Sequence, residues 1–448
     1  MKDTSHIPAQ ISLRQWEGRY RSLREAGLRE ASYGGPLQRH FAAGDYRLEQ
    51  LRFDNSAAAL RLWNFLLSET ERLFAAKRAG KKIIATMKDL GTVPILAYAL
   101  PETVAFYPDG TWWIPCVMRQ STRDLAIADA MGIDETFCPV RAMLGAFETN
   151  QHFPPPDLLV CSVGATCDDF SAIAQRLESR RHAIHWWEIP SRQGAREEED
   201  VMFVTSELRR IAEKLAEVTG YELTNERLRE AIAQANKVRE KLNQLRQLVF
   251  TAPKAPLPAL EMLIAEMLAI HYCSDRGETL AVLAELVDEV QVRIEMGEGC
   301  LPADAVRVFW VNPVADLRVM NLLEECGGRL CGSDFMFCHA LDAIPTDVLP
   351  MEALARMALA DPMVGPAGER ARRIVRDAKL FGAQAVIVSR IPGASHCATE
   401  GTVIREVVSR EAGLSVLEIE VPPVSDGVRA GLRTRLEALM ETVRRKRA

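Results

Sequence analysis

One alternation occurs twice in this sequence and restricts the chain to few folds: a short apolar or β-branched run, a helical stretch, then another apolar run. Asp157-Leu158-Leu159-Val160-Cys161-Ser162-Val163 has the make-up of a strand buried on both faces. Phe170 to Arg180 carries helical spacing, and Ala183-Ile184-His185-Trp186-Trp187-Glu188-Ile189 follows as a second strand closed by Pro190. Strand, crossover helix and strand make the parallel α/β unit. A shorter β-branched run, Ile83-Ile84-Ala85-Thr86, precedes them. After residue 302 the pattern returns, with strands expected at Val306 to Val311, Arg329 to Cys331, Ala385 to Ser389 and Ser415 to Val421.

Between the two blocks the periodicity changes. Leu208, Ile211, Leu215 and Val218 mark an amphipathic helix ended by Gly220. Thr224 is placed to cap a second helix, with Glu226 in its first turn and Leu228, Ile232, Ala235, Leu242 and Leu245 on its apolar face. Phe250 to Pro258 is proline-rich and reads as a linker, and one more helix is expected from Ala259 to about Met296. The first eighty residues also read as helical, with Leu60, Leu62, Phe65, Leu66, Leu67 and Leu73 at near-helical spacing. The expected organisation is an N-terminal helical region (1–80), a first α/β domain (81–204), a helical insert (205–301) and a second α/β domain with a C-terminal helix (302–448).

With 48% hydrophobic residues the chain can bury a large core, and a net charge of −6 with both signs mixed gives no electrostatic case for nucleic acid. Met1 to Gln10 is polar, and no apolar run approaches the roughly 20 residues of a membrane helix. A cytoplasmic location with no membrane contact is expected. There the ten cysteines stay reduced and serve as core residues, catalytic thiols or metal ligands.

Three cysteines stand out by position. Cys138 precedes Pro139 at an apparent helix start, where backbone N–H groups favour thiolate. Cys167 follows the first strand block in Gly164-Ala165-Thr166-Cys167, and Cys397 follows the second in Gly393-Ala394-Ser395-His396-Cys397. Each lies just past the C-terminal end of a core strand, the edge at which open α/β sheets bind ligands. Three thiolates meeting in the cleft between two sheets suit an iron–sulfur cluster. Their spacing equally admits three ordinary buried cysteines, because no local CxxC pattern is present. Cys161 and Cys331 fall within strands and read as core. Cys116 reads as packed, and Cys273 and Cys300 as structural. The gaps among Cys326, Cys331 and Cys338 match no ferredoxin spacing, and paired zinc spacings are missing. His396 beside Cys397 is a candidate proton or hydrogen-bond donor. Walker A, GxGxxG after a strand and GxSxG are all absent, so neither ATP hydrolysis nor NAD binding is expected of this chain.

At these residues the sequence resembles the catalytic-component subunits of 2-hydroxyacyl-CoA dehydratases and ATP-dependent benzoyl-CoA reductases. The features occur in order: Cys138-Pro-Val-Arg, Asp157-Leu-Leu-Val with Cys167-Asp168, and the helical stretch Glu207 to Leu248 with Asn236 and Arg239. Gly327-Gly328-Arg329 through Ala340-Leu341, the Cys397 loop, Leu417-Glu-Ile-Glu and Arg433-Thr-Arg-Leu-Glu-Ala complete the set. Gly327 to Leu341 looks closest to the larger cluster-bearing subunit of bzd-type benzoyl-CoA reductases. The resemblance implies two flavodoxin-like α/β domains with a [4Fe–4S] cluster between them, held by Cys138, Cys167 and Cys397. It implies an acyl-CoA substrate, a homologous cluster-bearing subunit, separate ATPase activator subunits and ferredoxin as upstream donor. The reaction it implies is two-electron reductive dearomatisation of an aryl-CoA thioester. Dehydration of a 2-hydroxyacyl-CoA is the second expectation, and an electron-transfer or scaffold subunit of the same complex the third. The extra cysteines depart from the simpler members, and Cys161, Cys116, Cys326 or Cys331 would be the source of any fourth ligand.

Overall fold

A computed structural model describes residues 10–25, 50–87, 89, 91–110, 121–194, 198–271 and 274–447. Cys116 and Cys273 lie outside the described residues, as does the side chain of Cys397. A two-residue antiparallel pair, β1 (Gln10–Ile11) with β2 (Phe53–Asp54), ties down the N-terminal region. Two four-stranded sheets form the rest of the β-structure, and every strand pair in them is parallel.

The first sheet contains β3 (Lys82–Met87), β4 (Thr103–Phe106), β5 (Leu158–Gly164) and β6 (Ile184–Ile189), in the order β4-β3-β5-β6. The second contains β7 (Val306–Val311), β8 (Gly328–Asp334), β9 (Ala385–Arg390) and β10 (Ser415–Glu420), in the order β8-β7-β9-β10. In each sheet the chain enters at an inner strand, steps to one side, then crosses over to build the other. The strand order therefore reverses at β3/β5 and at β7/β9, and such a switch point opens a crevice at the carboxyl ends of the strands.

The strands are apolar because helices cover them. β8 is buried along its whole length, as is most of β3, β5, β7 and β9. Helix Asp168–Ser179 packs on β5, and helix Ser395–Ala412 on β9 and β10. The middle of the chain is helical: Glu198–Thr219, Asn225–Thr251, Ala259–Met267 and Arg276–Glu295. Thr224 caps the second of these by accepting from the Arg227 amide, and Asp275 caps the fourth by accepting from the Glu278 amide. Helix Asn225–Thr251 buries Leu228, Ile232, Leu242 and Leu245, each contributing about 1.5–3 kcal/mol. The N-terminal helix Ala57–Leu67 packs against Ala259–Met267 and Arg276–Glu295, so one core runs from the N-terminal region through the middle helices into both sheets.

Several elements differ from the sequence reading. Phe250 to Pro258 is not a free linker: Ala252, Ala255 and Leu257 are buried, and helix Asn225–Thr251 ends only within it. The helix expected from Ala259 to Met296 breaks after Met267 and restarts at Arg276, and the intervening segment carries Ile270 and His271 inward. Strand β4 and the helices Thr92–Tyr98, Pro350–Ala360 and Ala367–Leu380 were not anticipated. Cys397 lies in the first turn of helix Ser395–Ala412 rather than in the loop before it.

Candidate functional site

The carboxyl ends of the two sheets face a common cavity. Tyr107 and Asp109 reach it from the end of β4, and Thr166, Cys167 and Phe170 from the end of β5. Pro313, Met336, Phe337, Ile391 and His396 close it from the second sheet. Cys138 and Val140 form another wall, and Ile270 and His271 come from the break in the middle helices.

Local geometry explains how the thiols arrive there. Cys138 is the residue before the short helical turn Pro139–Arg141, which leads into helix Ala142–Thr149; proline suits that first turn because it needs no amide hydrogen. Cys167 precedes helix Asp168–Ser179. Between β5 and Cys167 the backbone turns sharply. Gly164 has φ +90°, and a Cβ on it would lie 2.2 Å from the Ile189 carbonyl oxygen, so only glycine fits. Thr166 also has φ +90°, a costly conformation for a β-branched residue, and it sits directly beside Cys167.

Asp169 links the two halves of the cavity. Its Oδ2 lies 3.5 Å from Cys167 Sγ and accepts from the Ser395 amide at 3.4 Å and the Ser395 hydroxyl at 3.5 Å. Ligand atoms of Cys167, Asp169 and His396 all lie within 4.8 Å of one another. Burial pushes the Cys167 thiol up to about 12, with the Asp169 charge adding, and burial also raises the Asp169 carboxyl. His396 is pushed down to about 3 by burial, reinforced by the positive Arg370 and His339, so its imidazole is neutral at ordinary pH.

Of the sequence candidates, Cys138, Cys167 and His396 line the same cavity. Cys397 follows His396 in the chain, at the start of a helix whose preceding loop borders the cavity. Cys161 is fully buried within β5. Cys331 is the extra residue where the β7–β8 register shifts, and burial pushes its thiol up to about 12. Cys326 ends helix Arg318–Glu325 beside the Arg433 carbonyl. None of these three is among the cavity residues.

The sequence reading missed Asp169, Tyr107 and His271. A second acid directly after Cys167-Asp168 was the available signal for the first. Tyr107 bonds to Asp89 and accepts from the Gly91 amide at 2.6 Å, while His271 Nε2 lies 3.2 Å from Asp109 Oδ2. No local motif announces a contact between residues that far apart in sequence.

The donor set suits iron and sulfide. Two buried thiols share an apolar chamber with a carboxylate and an imidazole, and a third cysteine follows that imidazole in the chain. The family model described as HGD-D, 2-hydroxyglutaryl-CoA dehydratase, D-component, matches residues 96–443. The chain belongs to this family. No curated protein matches it. The 2-hydroxyglutaryl-CoA dehydratase D-component family comprises catalytic subunits that act on acyl-CoA thioesters, bind [4Fe–4S] clusters and work with homologous subunits and an activator. The match spans β5, β6 and the whole second sheet, and so includes both cysteine-bearing edges. Among the described residues, no helix is long and apolar enough to cross a membrane.

Proposed function

We propose that this chain is the iron–sulfur subunit of an ATP-dependent benzoyl-CoA reductase, with Cys138, Cys167 and Cys397 holding a [4Fe–4S] cluster. The observation that carries this reading is that Cys138 and Cys167, from two separate loops, line one cavity between the two sheet edges. Bound there, the cluster would supply single electrons at low potential. Val140, Phe170, Ile270, Pro313 and Ile391 line the chamber with hydrocarbon and exclude water from it. His396, held neutral, carries a single ring N–H and is a weak source of free protons. Two electrons and two protons added to the aryl ring complete the reduction. A homologous cluster-bearing subunit, an activator ATPase and ferredoxin as donor belong to the same reading, as does a cytoplasmic location.

A second reading, dehydration of a 2-hydroxyacyl-CoA, is favoured by the description of the matching family itself. Electron stoichiometry separates the two. Benzoyl-CoA reduction consumes two electrons per turnover, whereas dehydration consumes none. The first experiment is anaerobic purification with iron and acid-labile sulfide analysis, repeated on C138S, C167S and C397S. Loss of iron in each variant supports the ligand set. A colourless, iron-free wild-type preparation refutes it. Product analysis with benzoyl-CoA and with a 2-hydroxyacyl-CoA then assigns the reaction.

A further inference from the structure

A second, smaller chamber lies beside the first, and Ile270 lines both. Gly91, Tyr98, Arg239 and Arg276 are among its other walls. Arg239 projects from the middle of helix Asn225–Thr251 and is only 4% exposed.

The surroundings of Arg239 are unusual for a buried cation. Buried guanidinium groups elsewhere in the molecule meet carboxylates: Arg246 pairs with Glu266, and Arg370 with Asp334 and Glu400. Among the described residues Arg329 meets no carboxylate, but it donates to the carbonyls of Val249, Ala252 and Pro253 at a helix end. Arg239 has neither. Its Nη2 donates to the Met357 thioether at 3.1 Å, its buried Nε meets no acceptor, and it forms no ion pair among the described residues. Asp342, a carboxylate whose charge acts on it, is engaged by Arg373 at 2.7 and 3.0 Å. Burial lowers Arg239 only to about 10, so it stays charged at neutral pH. A buried charge without a counter-ion costs several kcal/mol, and a guanidinium binds oxyanions through paired donors.

The rest of the chamber suits an anion. Arg276 brings a second positive charge, held over the Tyr98 ring at 5.0 Å. Gly91 presents bare backbone: a Cβ there would lie 3.7 Å from Arg239 Nη2 and 3.3 Å from Ile270, and its φ of +104° disfavours any side chain.

We propose that this chamber is an oxyanion subsite in which Arg239, helped by Arg276, takes a phosphate or carboxylate group of the acyl-CoA substrate. The inference rests on the acyl-CoA reading above. It adds that the substrate passes Ile270, with its anionic group in one chamber and its reacting end in the other.

Calorimetric titration of the anaerobic full chain with CoA, inorganic pyrophosphate and glutarate tests this. Binding of CoA and pyrophosphate but not glutarate identifies the CoA phosphates as the source. Binding of glutarate but not pyrophosphate identifies a carboxylate on the acyl chain. In either case Arg239→Met weakens the bound probe about tenfold or more, Arg239→Lys restores part of the loss, and Arg276→Gln weakens it less. In anion-free buffer Arg239→Met melts no lower than wild type, because it removes an uncompensated charge. A clear fall in melting temperature marks Arg239 as structural and overturns the proposal. So does binding of all three probes unchanged in both Arg239→Met and Arg276→Gln, or no binding to wild type. An iron-free chain without acyl-CoA turnover that still binds an oxyanion through Arg239 refutes the functional reading and leaves the subsite standing. Normal turnover with Arg239-independent binding does the reverse.

Discussion

Gly393 lies against the backbone of Cys138. A Cβ at position 393 would fall 2.8 Å from the Cys138 amide nitrogen and 2.5 Å from the Phe137 carbonyl carbon, and Gly393 itself has φ +78°. The loop leading to Cys397 thus rests directly on the segment that presents Cys138. Gly393→Ala is expected to displace that segment and cost about 1–3 kcal/mol. Iron per chain should fall well below the wild-type value while the helical circular dichroism stays native. Full iron content in Gly393→Ala would show that the loop contact does not position the thiol.

Cys326 and Cys331 provide the control for the ligand assignment. Both are buried away from the cavity residues. Cys326→Ser and Cys331→Ser should retain wild-type iron and sulfide, whereas Cys167→Ser should lose most of both. Cys331→Ser places a hydroxyl in a fully buried strand and should lower stability by about 1–3 kcal/mol, read by chemical denaturation.

Glu261 gives the fold a pH dependence. Its carboxyl accepts from the Asp54 amide and the Trp63 indole, both at 3.0 Å. Burial, reinforced by the Asp54 charge, pushes it up to about 8 from an ordinary 4.5. The folded state therefore holds a proton that the unfolded chain releases near 4.5. The stabilisation from that proton is complete below 4.5, shrinks as pH rises, and is lost through about 8. Melting temperature should fall between about pH 4.5 and about pH 8, and Glu261→Gln should flatten that part of the profile.

Asp334 anchors a buried ionic network at the end of β8. It receives Arg370 Nη2 at 2.7 Å and His339 Nε2 at 3.1 Å, and His339 Nδ1 lies 3.1 Å from Asp361. Arg370 and His339 hold the Asp334 carboxyl well below the usual carboxylate range despite its burial. Removing one partner strands the others, so Asp334→Asn should cost about 3–5 kcal/mol in urea denaturation. A loss below about 1 kcal/mol would mean the network contributes little.

Much of this architecture was legible in the sequence because parallel strands are buried on both faces and so stand out as continuous apolar runs. β7 begins and ends where its run does, and β5, β6, β9 and β10 fall within a residue of theirs. β4 escaped because Thr103-Val104-Ala105-Phe106 is too short to separate from the helical stretch before it. The break after Met267 escaped because both flanking helices are apolar on the side facing the core, which leaves the periodicity nearly continuous. Cys138, Cys167 and His396 were readable as residues next to strand ends and helix starts. Asp169, Tyr107 and His271 were not, because their significance comes from neighbours brought close only by the packing of middle helices against sheet edges; Arg239 was visible as a feature of the family resemblance, but its lack of a counter-ion was not.

The shared strand order of the two sheets also determines how the chamber responds to movement. Each sheet supplies lining from its own carboxyl edge, and the gap across the chamber is set where those edges touch, at Asp169 with Ser395 and at Gly393 with Cys138. Loss of either contact would shift Cys167 relative to His396 without breaking a single strand pairing.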